Sequence, residues 1–166
     1  MCSDRPHRYT AQDNCNHRKD PMTPSNTLLT LTYRDAGNFK RQLEEVVRGA
    51  ISASQVERLS RKFESGYMLI AEQLGLPTPS FEEMPGEEDW PSEELDHVYT
   101  SWAQFEDADG APALSTLLTD RPPTLAMTID ELVARTEAVR RWNVSDEWDR
   151  MEQSARRIDG PSVKRI

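Results

Sequence analysis

The stretch Thr27–Gly49, TLLTLTYRDAGNFKRQLEEVVRG, decides the fold class. Its opening segment, Thr27 to Tyr33, is rich in Thr and Leu, and Leu29, Leu31 and Tyr33 share one face at the period of two that a strand imposes. Asp35, Ala36, Gly37 and Asn38 then carry a turn, because short polar side chains bond their own backbone and glycine tolerates the sharp reversal. The run after the turn, FKRQLEEVVRG, suits two templates. Phe39, Leu43 and Val47 fit a helical stripe at i, i+4, i+8 and equally one face of a strand. The turn before it and Gly49 after it favour the strand, so Phe39–Arg48 reads as the second arm of a β-hairpin.

Working toward the C-terminus, Ser52 and Gln55 make a capping box, with Ile51 and Val56 placed to close a hydrophobic staple. A helix therefore starts at Ser52, buries Val56, Leu59 and Phe63, and ends at a left-handed C-cap in Ser65-Gly66. Tyr67–Ile70 reads as a short strand, and Gly75, Pro77 and Pro79 break regular structure after it. Leu95, Val98, Tyr99, Trp102 and Phe105 follow a helical spacing that predicts a helix over 95–105. DADGAP and Pro122-Pro123 are breaks. Thr128 and Glu131 form a second capping box, stapled by Met127 and Leu132, which predicts a helix from Ile129 to about Trp142. Ser145 can cap a last helix carrying Trp148, Met151, Ala155 and Ile158 on one face, stopped by Gly160-Pro161. Trp102 and Trp148 fall on these apolar stripes and are assigned to the core.

The expected architecture is an α+β fold: a small single domain with an N-terminal β-hairpin and three to four α-helices, including a C-terminal helical pair. At 166 residues and 36% hydrophobic content the chain supports one core and not two. The domain is expected to span 27–160, with an acidic loop at 77–94, a disordered N-terminal tail at 1–26 and a C-terminal tail at 161–166. Cys2 and Cys15 cannot frame a disulfide scaffold. No 18-residue apolar run and no apolar leader region occurs, which places the chain in the cytoplasm, without a membrane partner.

Charge is distributed unevenly along this chain of net charge −9. Residues 63–120 hold fourteen acidic side chains and no Lys or Arg, while the segments on either side are slightly basic. Such a potential repels phosphate backbones and attracts cationic surfaces, which argues against direct nucleic-acid binding and for a basic protein partner. The densest part supplies the candidate partner-binding residues: Glu82, Glu83, Glu87, Glu88, Asp89, Trp90, Glu93 and Glu94, with Trp90 as an aromatic anchor amid carboxylates. Rows of carboxylates can also imitate phosphates, although Pro85, Gly86 and Pro91 favour a loop over an ordered row. Self-association is a further option, with Trp142, Arg140, Arg141, Arg156 and Arg157 docking on the acidic face of a second copy.

Chemistry-bearing patterns are sparse. Cys2, His7, Cys15 and His17 lack the tight knuckle of a structural zinc site. Counting Gly110 as the sixth position of a calcium loop puts Phe105 first and Thr116 twelfth, where acidic ligands are required. No metal, cofactor or catalytic residue is assigned on these grounds. The alternative to an interaction protein is a small metal- or histidine-dependent enzyme built on His97 and the Asp107/Asp109 turn, His97 being the one histidine inside the expected domain.

LTLTYRDAGNFK, the capped helix after it, EQLGLP, DHVY and TIDELVAR together resemble small uncharacterised bacterial proteins of high-GC, phage or plasmid context, over Thr27 to Arg140. The resemblance implies the hairpin reading of Phe39–Arg48 and a strand in place of a helix after Leu95. It carries no activity, cofactor or site residue.

Overall fold

The computed structural model describes residues 24–79, 91–94, 96–102 and 112–158, the last range with side chains through 155. Its fold is α+β, led by the hairpin. Strand β1 (Asn26–Arg34) pairs antiparallel with β2 (Lys40–Arg48) over its full length, from Asn26 opposite Arg48 to Arg34 opposite Lys40. The turn between them is held by Asp35, whose Oδ1 accepts from Phe39 N at 2.6 Å while Asn38 takes the left-handed backbone at φ 70°. The asparagine, not Gly37, therefore absorbs the positive φ, a role its short side chain permits.

Strand β1 is the spine of the sheet, because its other edge is shared by two short strands. Near its end Thr32 pairs with Ser101 of β4 (Thr100–Ser101), which in turn pairs with β3 (Met68–Leu69). Near its start, Asn26 and Thr27 pair with Thr119 and Leu118 of β5 (Leu118–Thr119). All these pairings are antiparallel, giving the order β2-β1-β4-β3 with β5 also on β1. A strand flanked on both sides this way is buried along most of its length, as Leu29, Leu31 and Tyr33 are.

Helix α1 (Ala53–Ser60) begins at the expected box: Gln55 N donates to Ser52 Oγ at 3.3 Å and Ser52 N to Gln55 Oε1 at 2.9 Å. It stops at Ser60, short of the expected Ser65-Gly66 end. Those two residues do take positive φ, 54° and 84°, but in a separate tight loop that bridges Glu64 to Met68 and launches β3. A 3-10 turn, Ala71–Leu74, follows and closes on Gly75 at φ 73°, where a Cβ would lie 2.5 Å from Arg135 Nη1. Helix α2 (Leu114–Leu117) is a single turn.

The helix expected over 95–105 is not formed. Within the described part of that segment Val98, Thr100 and Trp102 are buried and Tyr99 and Ser101 half-buried, a period of two, and Thr100–Ser101 is β4. Pairing with both β1 and β3 decides the matter, since β-branched Thr100 and the alternation suit a pleated strand. The strand implied by the resemblance is what is found there.

Helix α3 (Ile129–Ala138) starts at the second capping box, Thr128 N donating to Glu131 Oε2 at 2.7 Å and Glu131 N to Thr128 Oγ1 at 3.2 Å. It ends four residues before Trp142, because Val139 turns extended at ψ 113° and its carbonyl accepts from Lys62 Nζ at 2.9 Å. The helix packed beside α3 is α1, and they run in the same direction: Gln55 bonds Asp130 at 2.8 Å, Arg58 grips Glu137 through two contacts of 2.7 Å, and Lys62 reaches Val139. Helix α4 (Val144–Ile158) is capped two positions earlier than Ser145 would give, by Asn143, whose Oδ1 accepts from Asp146 N at 3.3 Å. Met151 seats α4 in the core, and Arg150 ties it to Glu72 at 3.0 Å and to its own Glu147 at 2.6 Å.

Candidate functional site

The turn after α1, the segment leading into β4, and the link between α3 and α4 with the start of α4 converge on an open groove of about 1230 Å³. Glu64 stands on one wall, in the loop that bridges to Met68. Glu93 and Tyr99 form a second wall from the segment leading into β4. Arg140, Arg141, Trp142 and Asn143 bring the link, and Val144, Ser145, Trp148 and Asp149 the first turns of α4.

Each wall has an identifiable support. Glu64 is fixed by backbone bonds between Glu64 and Met68, at 2.7 and 2.9 Å, across the Ser65-Gly66 reversal. The α3–α4 link is clamped by a reciprocal pair, Gln73 Nε2 donating to Asn143 O at 2.9 Å and Asn143 N to Gln73 Oε1 at 3.2 Å. Trp142 turns inward from that link: its indole N–H donates to Lys62 O at 3.2 Å, and its ring lies 6.3 Å from Phe63, which meets Trp102 edge-on at 5.0 Å. These three rings form a buried aromatic row behind the groove.

The segment 91–101 is held by a polar cluster around Asp96. Tyr33 OH donates to Asp96 Oδ1 at 2.5 Å, and Ser92 N donates to Asp96 Oδ2 at 2.8 Å. Burial is the main force raising the Tyr33 phenol above its ordinary pKa, with the Asp96 carboxylate adding to it. Next to it His97 Nε2 bonds Arg34 O at 2.7 Å, while His97 Nδ1 accepts from Tyr99 N at 3.1 Å. Accepting at Nδ1 assigns the proton to Nε2, so both ring nitrogens are committed to backbone groups. Its ring tilted at 55° to that of Tyr33 with centroids 5.1 Å apart, this histidine acts as a splice between β1 and the groove wall.

The groove surface is chemically mixed. Tyr99 and Trp148 are half-buried and Val144 is 44% exposed, which leaves aromatic and apolar surface open to solvent. Burial first, and the Glu64 charge second, raise the Tyr99 phenol, which therefore stays a neutral hydrogen-bonding group. Glu64, Glu93, Asp149, Arg140 and Arg141 make no ion pair among the described residues. No family model, curated protein or solved structure matches this chain.

Of the residues singled out from sequence, the groove gathers Glu93, Arg140, Arg141 and Trp142. Glu94 is exposed beside Glu93 but does not line it. Glu82, Glu83, Glu87, Glu88, Asp89 and Trp90 lie outside the described residues, as do Cys2, His7, Cys15, His17, Phe105, Asp107 and Asp109. The side chains of Arg156 and Arg157 do so as well. Trp142 is buried in the core and also lines the groove, and Trp148, expected in the core, is half-buried, packing against the core and bordering the groove. Tyr99, Glu64 and Val144 were not visible as site residues from sequence, because nothing local marks a tight loop and a helix start as neighbours. Among the described residues no group of three His, Cys, Asp or Glu could hold a metal ion, and no helix is long and apolar enough to cross a membrane.

Proposed function

We propose that this chain is a small non-enzymatic accessory protein that binds a basic protein surface, using the groove together with the acidic stretch that leads into it. The observation that carries the reading is the groove wall itself: Glu93 belongs to the acidic set and shares the groove with Glu64 and Asp149, beside the open rings of Tyr99 and Trp148. Carboxylates without an ion pair among the described residues, at an aromatic surface, suit a partner segment that brings cations around one apolar or aromatic side chain. Arg140 and Arg141 on the same groove interrupt any continuous negative row, which favours a basic protein segment over phosphate mimicry. A histidine-dependent enzyme draws no support from His97, whose ring nitrogens both serve the backbone.

The test is capture of partners on immobilised native protein against two variants. In one, Glu82, Glu83, Glu87, Glu88, Asp89 and Glu93 become Gln or Asn; in the other, Tyr99 and Trp148 become Ala. The reading requires a partner that is held by the native chain, weakened in both variants and released as salt rises. Equal retention by all three proteins, or indifference to salt, overturns it.

A further inference from the structure

The charged side chains of the groove carry both signs. Glu64, Glu93 and Asp149 are acidic, whereas Arg140 and Arg141, from the link between α3 and α4, are basic. All five are exposed, and none makes an ion pair or a side-chain hydrogen bond among the described residues. Elsewhere the chain uses such groups on itself: Arg58, Arg61, Arg121 and Arg150 each pair with a carboxylate of their own chain. The walls of the groove are anchored separately, Glu64 by its backbone bonds to Met68 and the link by Lys62 at Val139 and Gln73 at Asn143.

Charges of opposite sign that line one groove without pairing face the space between its walls, and a segment filling that space meets both. A uniformly basic segment satisfies the carboxylates but sets further cations against two guanidinium groups, a like-charge contact that costs affinity. A segment with a carboxylate among its cations satisfies every group, and arginine is well shaped to hold that carboxylate through two parallel N–H donors. Size points to a peptide. Small-molecule pockets measure roughly 300–1,000 Å³, and this groove, open and about 1230 Å³, is larger. The half-buried rings of Tyr99 and Trp148, with exposed Val144, offer a seat for one apolar or aromatic side chain.

We infer that the groove recognises a peptide segment of mixed charge: a lysine or arginine for Glu64, Glu93 and Asp149, an apolar or aromatic side chain for Tyr99 and Trp148, and an aspartate or glutamate for Arg140 and Arg141. The inference rests on the reading of the groove as a partner-docking surface and adds the rule by which a segment is selected. On a basic protein surface the groove picks out the place where a carboxylate interrupts the cations. Arg140 and Arg141 thereby act as a filter against uniformly basic sequence.

The test titrates the isotope-labelled full chain with four capped pentapeptides: Lys-Ala-Phe-Ala-Glu, Glu-Ala-Phe-Ala-Lys, Lys-Ala-Phe-Ala-Lys and Glu-Ala-Phe-Ala-Glu. Peptide is added to about 10 mM, a range suited to a segment cut from a larger interface. Salt at about 0.15 M limits the pull of the chain's net charge to about 8 Å. Binding is read from the Tyr99 and Ser145 amides and the Trp148 indole N–H. One order of the mixed peptide binds about fivefold tighter than either single-sign peptide, the difference that one partly exposed charge pair supplies. Arg140→Glu with Arg141→Glu turns the ranking in favour of the Lys–Lys peptide, and Glu64→Lys with Glu93→Lys turns it toward Glu–Glu. The dispersion of the remaining resonances establishes that each variant is folded. A Lys–Lys peptide that binds the native chain as tightly as both mixed peptides, a ranking unmoved by the arginine reversal, or no shift at the groove with any peptide overturns the inference. Failure of the docking reading itself shows separately in the capture test. A partner retained through the acidic set, Tyr99 and Trp148 but indifferent to Arg140→Glu with Arg141→Glu leaves that reading standing and removes the selection rule.

Discussion

Along one side of α3 the charges are all occupied, and beyond its C-terminus they are not. Asp130 and Glu137 bind Gln55 and Arg58 of α1, and Arg135 Nη1 donates to Leu74 O at 3.0 Å. A few residues later Arg140 and Arg141 face the groove with no ion pair among the described residues. The seam between α1 and α3 uses polarity to set the register of two helices. At the groove, the same kinds of side chain stand beside aromatic surface with no ion pair among the described residues. The difference separates charge that serves the fold from charge available to a partner.

The two tryptophans on either side of Asn143 give the sharpest way to break this comparison. Trp142→Ala empties a buried position beside Phe63 and should cost about 3–5 kcal/mol, read by denaturant unfolding. Trp148→Ala should cost roughly 1 kcal/mol, as befits a half-buried ring, while weakening partner retention. Equal losses for the two would erase the distinction between core and groove.

Next in size is the splice that holds the groove wall. Tyr33→Phe leaves Asp96 Oδ1 without its donor and should cost about 1–3 kcal/mol. Because the folded-state pKa of Tyr33 lies above its unfolded value, its contribution is complete below the unfolded pKa of about 10 and fades as pH rises above it. A pH series of melts should therefore show a steeper alkaline decline in the native chain than in the Phe variant.

Thr128→Ala removes one half of a capping box and should cost about 1 kcal/mol by equilibrium unfolding. The other half sharpens the point by pH. The Thr128 backbone N–H holds the Glu131 carboxyl below the usual carboxylate range. That stabilisation is present above the unfolded pKa and lost as pH falls through the folded one. Glu131→Gln keeps an acceptor for Thr128 N without a titrating group, so its acid melting curve should be flatter than the native one. The smallest expected effect is at the groove: Arg140→Ala with Arg141→Ala should move stability by no more than about 0.5 kcal/mol. A larger loss would mean that these arginines serve the fold after all.

The sequence was most legible where structure is set within a few residues. The first arm of the hairpin, its turn and both capping boxes follow from period, turn chemistry and local bonds that need no distant partner. It was least legible where two templates competed. Leu95 to Phe105 offered a helical spacing, yet Val98, Thr100 and Trp102 alternate because β1 and β3 stand ready to pair with Thr100–Ser101. Helix ends differed too: Ser65-Gly66 and Trp142 are plausible stops locally, but α1 stops at Ser60 ahead of the Glu64–Met68 loop, and α3 stops where Val139 O accepts from Lys62.

By itself, then, the sequence determined a hairpin-led α+β domain, the helix caps at Ser52 and Thr128 and an acidic middle, since each depends on neighbours in the chain. The tertiary structure alone decided that β1 is flanked on both sides, that Trp142 turns inward while Trp148 borders a groove, and that Thr124, Leu125 and Met127 bond the outer edge of β2 at Val46 and Arg48. Those outcomes join residues tens of positions apart. Which segment arrives beside a strand edge or a tryptophan is a matter of packing the whole chain, and no window of local sequence contains it.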